Sequence, residues 1–313
     1  MMRRLITYVI RALLVVLVLA AVAFAVARGG LKEVDQATRD EWGGNYLETD
    51  HGILSYTREG PVAAPAVILV HGFSTPKFVW EQVIPAVVAA GYQVISFDHL
   101  GRGFSDRPEG PYDSALYNSE LAGLIKGLNL NTPLTLVGYS MGGANVVDYA
   151  ASHPEQVKQL VLIAPAGYMR NAPEMSPLAM PVVGEWLATV FGRRYARQGI
   201  ESEINAGRAP ANMLEKFDQQ AAFAGYTDAL LSTLRYFPMA DLSDRYRIVG
   251  GTDIDVWAIW GTSDTVVPFD GASLMMEDVP QMKLTELKGA NHNMTYGQAD
   301  DVATALVHAL KEG

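Results

Sequence analysis

Hydrophobic positions are distributed in two distinct ways along this chain. Near the amino terminus, Ala12 to Ala27 is an unbroken apolar run without a polar face. After residue 45, short apolar and branched runs such as Ala66–Val70 alternate with longer segments of helical periodicity. Continuous branched runs indicate strands that are buried on both faces. The alternation predicts an α/β fold with a mostly parallel central sheet flanked by helices.

The same pattern gives the order of the elements. The predicted strands are Ile53–Thr57, Ala66–Val70, Gln93–Phe97, Leu134–Val137, Leu160–Ala164, Asp255–Trp260 and Met282–Leu287. The predicted helices are Val79–Ala90 (closed by Gly91), Ser114–Leu128, Met141–Ser152 and Asp300–Lys311.

The strand rhythm stops between Tyr168 and Gly251, where helix-like pieces are separated by prolines. We therefore predict a helical cap, residues 168–251, inserted between two neighbouring strands. The core then consists of residues 46–167 and 252–313, preceded by an N-terminal segment, residues 1–30.

The N-terminal segment is long enough to cross a membrane. As a helix, the 23 residues from Leu5 to Ala27 extend ~34 Å, compared with a hydrocarbon core of ~30 Å. The early arginines (Arg3, Arg4 and Arg11) favour a cytoplasmic N-terminus. This predicts a single-pass anchor with the catalytic domain on the outer, periplasmic side. The alternative is a signal peptide cleaved near Ala27, because Ala25-Val26-Ala27 has the A-x-A form of a cleavage site.

Composition excludes several classes of function. The formal net charge of −10 argues against a nucleic-acid partner, because phosphate binding requires a basic face. The chain has no cysteine, which excludes a disulfide framework, a thiolate metal site and a cysteine nucleophile. We expect neither a metal nor an organic cofactor.

A candidate nucleophile lies in the pentapeptide Gly138-Tyr139-Ser140-Met141-Gly142. The G-x-S-x-G pattern alone is weak, since a turn can need small residues for packing alone. Here it follows a predicted strand and opens a predicted helix. That context is typical of a strained turn that lifts a serine hydroxyl above the end of the strand.

A serine hydroxyl needs a base and an orienting acid. Where the serine lies on a strand-to-helix turn of this kind, the chain order is serine, acid, histidine. Of the downstream histidines, His153 ends a helix and His308 lies within one, whereas His292 lies in a loop after a strand. Asp264 follows the strand Asp255–Trp260 and is the predicted acid. Its rival, Asp270, fits better as a helix cap.

The oxyanion of an acyl-transfer intermediate needs preorganised N–H donors. Met141, the first residue after the nucleophile, supplies one, and Phe73 in the loop after Ala66–Val70 supplies the other. We expect His71 to shape that loop. Asp98 and Arg102 are expected to pair with each other.

Several motifs together resemble the α/β-hydrolase superfamily. They are HGF at 71–73, DHLGRGFSDRP at 98–108, GYSMGG at 138–143, WGTSDTVVP at 260–268 and GANH at 289–292. The resemblance extends over about residues 46–311, and the chain is most similar to membrane-anchored monoacylglycerol-lipase-like serine hydrolases. This sequence has HGFS where some lipases have HGGG, so Phe73 is a donor by position only.

The resemblance implies a triad of Ser140, Asp264 and His292, oxyanion donors Phe73 and Met141, and a cap over the pocket. It also implies cleavage of carboxylic esters, such as monoacylglycerols, through an acyl-enzyme on Ser140. A C–C bond hydrolase of the meta-cleavage-product type uses the same triad and stays open as the alternative. A binding protein without turnover would be expected to have a broken triad.

The implied partners are a small apolar ester and a membrane. The cap is rich in methionine and aromatic side chains, which suit an acyl chain but can equally pack the cap on the sheet. The candidate pocket residues are Tyr139, Trp186, Phe217 and Phe223.

Overall fold

A computed structural model describes residues 2–169 and 176–313. Its centre is an eight-stranded sheet with the order β1-β2-β4-β3-β5-β6-β7-β8. The strands are β1 (Asn45–Thr49), β2 (Gly52–Glu59), β3 (Ala66–Val70), β4 (Gln93–Phe97), β5 (Leu134–Tyr139), β6 (Val157–Ile163), β7 (Asp255–Gly261) and β8 (Lys283–Leu287). The first two strands pair antiparallel and the other six run parallel.

Helices cover both faces of this sheet, and further helices form the N-terminal segment and the insertion between β6 and β7. The helices are α1 (Met2–Arg28), α2 (Gln36–Trp42), α3 (Ile84–Ala89), α4 (Ser114–Gly127), α5 (Met141–Ser152), α6 (Val183–Leu187), α7 (Arg193–Asn205), α8 (Met213–Ala221), α9 (Tyr226–Tyr236), α10 (Ser243–Gly250), α11 (Gly271–Asp278), α12 (Met294–Gly297) and α13 (Ala299–Glu312). A π-helical turn, Ala188–Gly192, joins α6 to α7.

The middle of the sheet is the most deeply buried part of the molecule. Every residue of β5 is buried, and its neighbours β3 and β6 are buried along almost their whole length. Branched apolar side chains on both faces of a parallel strand account for this burial, since helices cover each face. The carboxyl ends of β5, β6 and β7 therefore lie at one rigid edge of the sheet.

The predicted fold class, a mostly parallel sheet flanked by helices, is confirmed. Sequence reasoning missed the edge strand β1 and the helix α2, which are both short and only partly buried. The predicted helix Val79–Ala90 is wrong in its first half. A 3₁₀ turn covers Lys77–Trp80, and the α-helix begins at Ile84, where Pro85 occupies a first-turn position.

The chain between β6 and β7 forms the helical insertion. In its described residues it contains α6 to α10, and six residues of the predicted cap, 170–175, lie outside the described part. Helix α1 has no buried residue and is apolar enough over its length to cross a membrane. A membrane anchor and a signal sequence both have this character.

Candidate active site

Ser140 lies on the sharp turn between β5 and α5. Its backbone has φ 55° and ψ −120°, a left-handed conformation that is costly for a residue with a Cβ atom. The turn is held by backbone hydrogen bonds, from Ser140 N to Ile163 O at 2.9 Å and from Ala166 N to Ser140 O at 3.0 Å. These bonds fix the strained residue to the end of β6.

Glycines make this turn possible. A Cβ atom on Gly138 would overlap the carbonyl of Gly142, and one on Gly142 would overlap the carbonyl of Val70. A Cβ on Gly143 would overlap Pro165. The glycines therefore allow the start of α5 to pack directly on the ends of β3 and β6, which leaves the Ser140 hydroxyl at the surface of the turn.

Ser140, His292 and Asp264 form a continuous hydrogen-bonded array. His292 Nε2 lies 3.0 Å from Ser140 Oγ, and its Nδ1 lies 2.7 Å from Asp264 Oδ2. The other carboxylate oxygen, Asp264 Oδ1, accepts hydrogen bonds from the backbone N–H groups of Val266 and Val267, both at 2.9 Å. Asp264 is buried and His292 nearly so, which limits competition from water.

The loop after β3 carries a fixed peptide group between Gly72 and Phe73. The His99 N–H donates to His71 Nε2 at 2.9 Å, so the ring proton of His71 is on Nδ1, which donates to Gly72 O at 2.8 Å. Burial lowers the pKa of His71 well below its ordinary range, which keeps the ring neutral. A planar trans peptide then directs the Phe73 N–H away from His71.

Two geometric features relate the predicted oxyanion donors to Ser140. A Cβ built on Gly72 would lie 3.3 Å from the Cβ of Ser140, so the Gly72–Phe73 peptide runs directly beside the serine. Met141 is the first residue of α5, and its N–H is one of those that a helix leaves without an internal partner. His71 thus fixes the orientation of the first predicted donor, and the start of α5 leaves the N–H of the second predicted donor available.

Behind this loop lies a buried pair that sequence reasoning missed. Glu120 Oε1 lies 2.5 Å from His99 Nδ1, and Leu100 N–H donates to Glu120 Oε2 at 2.6 Å. Burial raises the pKa of Glu120 to about 8, and burial lowers the pKa of His99 to about 3. The pair is therefore uncharged at neutral pH. No local sequence signal joins Glu120 in α4 to a histidine after β4.

The predicted Asp98–Arg102 pair is wrong. Asp98 binds Lys77, whose Nζ lies 2.5 Å from Asp98 Oδ2. The fully buried Arg102 extends the other way, donating to Phe73 O at 3.1 Å and to Thr233 Oγ1 at 2.7 Å. Arg102 therefore joins the loop beside the serine to helix α9 of the cap.

A cavity of about 850 Å³ lies between the cap and this edge of the sheet. Phe73, Val266 next to the Asp264 loop, and Asn293 next to His292 form its floor. Its walls come from α6 to α9 and are mainly apolar. Its described lining reaches the loops of Asp264 and His292 but does not include Ser140 or His292, and its size and character suit an apolar ligand.

Of the four predicted pocket residues, Phe217 lines this cavity and the others do not. Tyr139 is buried beneath it and donates from its hydroxyl to His292 O at 2.8 Å. Trp186 turns away and donates from Nε1 to Ala20 O in α1 at 2.9 Å. Phe223 packs edge-on against Trp42 with ring centroids 4.7 Å apart. Each of these three aromatic rings contacts a residue that is distant in sequence, so a local hydrophobic pattern cannot predict its position.

One polar contact joins the cap to the histidine loop and was also missed. Asn293 Nδ2 donates to Glu203 Oε2 at 2.8 Å, and Arg208 binds the same carboxylate at 2.8 Å. Hydrogen bonding from Arg208 lowers the pKa of Glu203, so this carboxylate is ionised.

Within residues 2–169 and 176–313, no group of three or more histidine and acidic side chains forms a candidate metal site.

Comparison with known proteins gives relatives of several activities. A decarboxylase of cis-3-alkyl-4-alkyloxetan-2-ones from Shewanella oneidensis is 27% identical over 86% of this chain and 88% of its own length. Lipase 1 of Psychrobacter immobilis is 24% identical over 80% of this chain and 78% of its own length. The solved structure of a membrane phospholipase A is similar with a TM-score of 0.69 at 22% identity, over 100% of this chain and 99% of that one.

The family model for the alpha/beta hydrolase fold matches residues 65–222, which include β3, the Ser140 turn and much of the cap. The sheet order, the strained serine turn and this match agree with one another. The chain belongs to the α/β-hydrolase fold family.

Proposed function

We propose that this protein is a serine hydrolase that cleaves carboxylic esters through an acyl-enzyme on Ser140. His292 takes the proton of Ser140 Oγ as the oxygen attacks the ester carbonyl, and Asp264 holds the imidazole in the required tautomer. The N–H groups of Phe73 and Met141 bind the developing oxyanion. His292 gives its proton to the leaving alcohol and then activates water to release the acid.

The observation that carries this proposal is the array of Ser140, His292 and Asp264. Its contacts of 3.0 Å and 2.7 Å have the geometry that a nucleophile, base and orienting acid require. A purely structural serine would have no reason to occupy a left-handed backbone conformation beside a histidine.

The cavity supports an apolar substrate, and we propose an ester of lipid type such as a monoacylglycerol. Its lining is largely aliphatic and aromatic, and about 850 Å³ is in the range of pockets that enclose whole ligands. Lipase 1 of Psychrobacter immobilis, a relative by sequence, also supports this substrate class.

The alternative reaction, C–C bond cleavage of a vinylogous diketone, would use the same three residues. The enolate form of such a substrate is anionic and calls for a cation in the pocket. Among the described lining residues the charged ones are already paired, Arg193 with Asp218 and Glu203 with Arg208. The ester reading therefore has more support.

We also propose that α1 stays attached as a single-pass anchor, with the remaining chain on the outer side. Its length, its exposed apolar surface and the preceding arginines support this. The membrane phospholipase A whose structure is similar over the whole chain supports it as well.

The test is hydrolysis of a graded series of p-nitrophenyl esters and monoacylglycerols, with a vinylogous diketone as comparator. We expect turnover of the esters that increases with acyl length, and none by Ser140→Ala. Turnover of the diketone alone would contradict the ester proposal, and unchanged turnover by Ser140→Ala would contradict the role of Ser140.

A further inference from the structure

Helix α1 is in contact with the rest of the molecule only near its C-terminal end. Residues 2–19 are all exposed, and the first residue with partial burial is Ala20. The predicted membrane span, Leu5–Ala27, includes the part of α1 that touches the cap, because the uncharged apolar run Ala12–Ala27 begins after Arg11. The part of the cap that contacts α1 from Ala20 onward then lies at the level of the membrane.

The cap is fixed against α1 at this level. Trp186 Nε1 donates to Ala20 O at 2.9 Å, and Arg28 forms an ion pair with Asp228 at 2.9 Å. The segment after α1 pairs with the cap through Lys32 N to Ala222 O, at 2.9 Å, and Ala224 N to Lys32 O, at 2.8 Å. These contacts set which side of the cap faces the membrane.

Close to Trp186 in the chain lie six exposed apolar side chains, which we call the cap edge, and the π-helical turn that carries one of them contacts α1. Its members are Leu178, Met180, Val182, Val183, Phe191 and Tyr195. Val182 is 79% exposed and Tyr195 is 81% exposed. Outside α1, they are half of the twelve exposed large hydrophobic residues in the described chain, within a segment of 18 residues. Such clustering in a soluble surface marks a binding site.

We propose that the cap edge is a second membrane-binding surface, which lies in the interface of the same bilayer that α1 spans. This inference rests on the proposed anchor. An aromatic residue beside arginines is typical of an interface, and Tyr195 follows the exposed Arg193 and Arg194. The proposed occupant is a phospholipid bilayer surface, because the cap beside the cap edge contacts α1, and α1 is apolar enough over its length to cross a membrane.

The cavity opens at this surface. Three residues of the cap edge, Leu178, Phe191 and Tyr195, also line the cavity, which extends to Val266 and Asn293 beside the array. An acyl chain can therefore pass from the bilayer through the cap edge into this cavity without crossing water. The cap edge then acts as the substrate entrance, and hydrolysis of lipids in a membrane depends on its contact with the bilayer.

The absence of cysteine allows a clean test of this contact. A single cysteine at Val182, in the full-length protein, is labelled with an environment-sensitive fluorophore. The protein is reconstituted in phosphatidylcholine–phosphatidylglycerol vesicles that carry a spin-labelled quencher at the interface. We expect strong quenching at Val182 and none at the matched control Val62, which is 73% exposed on the turn between β2 and β3. Equal exposure of the two labels to the quencher would overturn the proposal.

Flotation and N-terminal sequencing of the same sample separate the two proposals. A chain that floats with α1 intact but is not quenched at Val182 retains the anchor and overturns the membrane-bound cap edge. A chain that has lost α1 and does not float overturns both. A chain that floats and is quenched supports both.

The functional consequence is tested with Val182→Asp. Val182 has φ 67°, where aspartate is better tolerated than valine, and it does not line the cavity. We expect hydrolysis of monoacylglycerol in vesicles to fall about tenfold, with hydrolysis of soluble p-nitrophenyl acetate unchanged. Val62→Asp is the control and should change neither rate. Loss of both activities, or of neither, by Val182→Asp would contradict an entrance at the cap edge.

Discussion

The turn that carries Ser140 and the cap above it differ in how closely they are packed. The turn is fixed by backbone atoms, because Gly138, Gly142 and Gly143 allow α5 to approach its neighbours more closely than any side chain would permit. The described residues of the cap form no strand, and α6 and α7 have mostly exposed or half-buried side chains around a large cavity. We infer that the turn determines the reaction and the cap determines the substrate.

The largest difference is expected for the acid of the array. Asp264→Asn retains the shape of the side chain but favours the wrong histidine tautomer, so kcat should fall about 10⁴-fold. Asp270→Asn, six residues later at the exposed start of α11, should leave kcat unchanged. Steady-state kinetics on a short p-nitrophenyl ester measures both. If Asp264→Asn kept full activity and Asp270→Asn lost it, the assignment of Asp264 as the acid would be wrong.

Two glycine-to-alanine substitutions, one in the turn and one in the cap, compare how closely the two regions are packed. Gly142→Ala places a methyl group against the Val70 carbonyl, and we expect a loss of about 3 kcal/mol in the free energy of unfolding. Gly199→Ala, in α7 of the cap, meets no atom within 4 Å and should stabilise the protein by about 0.5–1 kcal/mol. Denaturant unfolding checks both. A tolerated Gly142→Ala would contradict the close packing at the turn.

The buried Glu120 should make stability depend on pH. Its pKa of about 8, against an ordinary 4.5, means that the folded state binds its proton more tightly. This stabilisation is complete below pH 4.5 and is lost as pH rises towards 8. His99, with a pKa of about 3 against 6.5, acts oppositely between pH 3 and 6.5. Stability should therefore be nearly level from pH 4.5 to 6.5 and then fall by about 2 kcal/mol up to pH 8.

Two variants test this assignment through unfolding at several pH values. Glu120→Gln should remove the decline between pH 6.5 and 8. Glu203→Gln, in the cap, should not remove this decline. Hydrogen bonding from Arg208 lowers the pKa of Glu203, so Glu203 affects stability only at acidic pH. A decline that persists in Glu120→Gln would show that another group is responsible.

The smallest effect is expected within the cavity wall. Ala188→Phe fills space that we assign to the acyl chain, and exclusion of about two methylenes should lower kcat/KM for long-chain esters about tenfold. Hydrolysis of p-nitrophenyl acetate should not change. Thr189→Phe, the next residue, lies outside the cavity lining and serves as the matched control. An equal loss for acetate and long-chain esters would argue against an acyl site here.

The contrast between the Ser140 turn and the cap also explains which features could be predicted from the sequence. The sheet, the insertion point of the cap and the positions of Ser140, Asp264 and His292 follow from strand periodicity and from residues next to strand ends. The orientations of Trp186, Phe223 and Arg102 could not be predicted, because each depends on a partner far away in sequence: Ala20, Trp42 and Thr233. The Glu120–His99 pair was missed for the same reason.

Ser140 is the proposed nucleophile of this array. The most direct test is to label the full-length protein with a fluorophosphonate probe and to map the adduct by peptide mass spectrometry. We predict a single adduct on Ser140 and no adduct in Ser140→Ala. In His292→Ala the Ser140 turn is kept but the general base is missing, so we predict strongly slowed labelling. An adduct on another residue, or labelling that persists in Ser140→Ala, would contradict the assignment of Ser140 as the nucleophile.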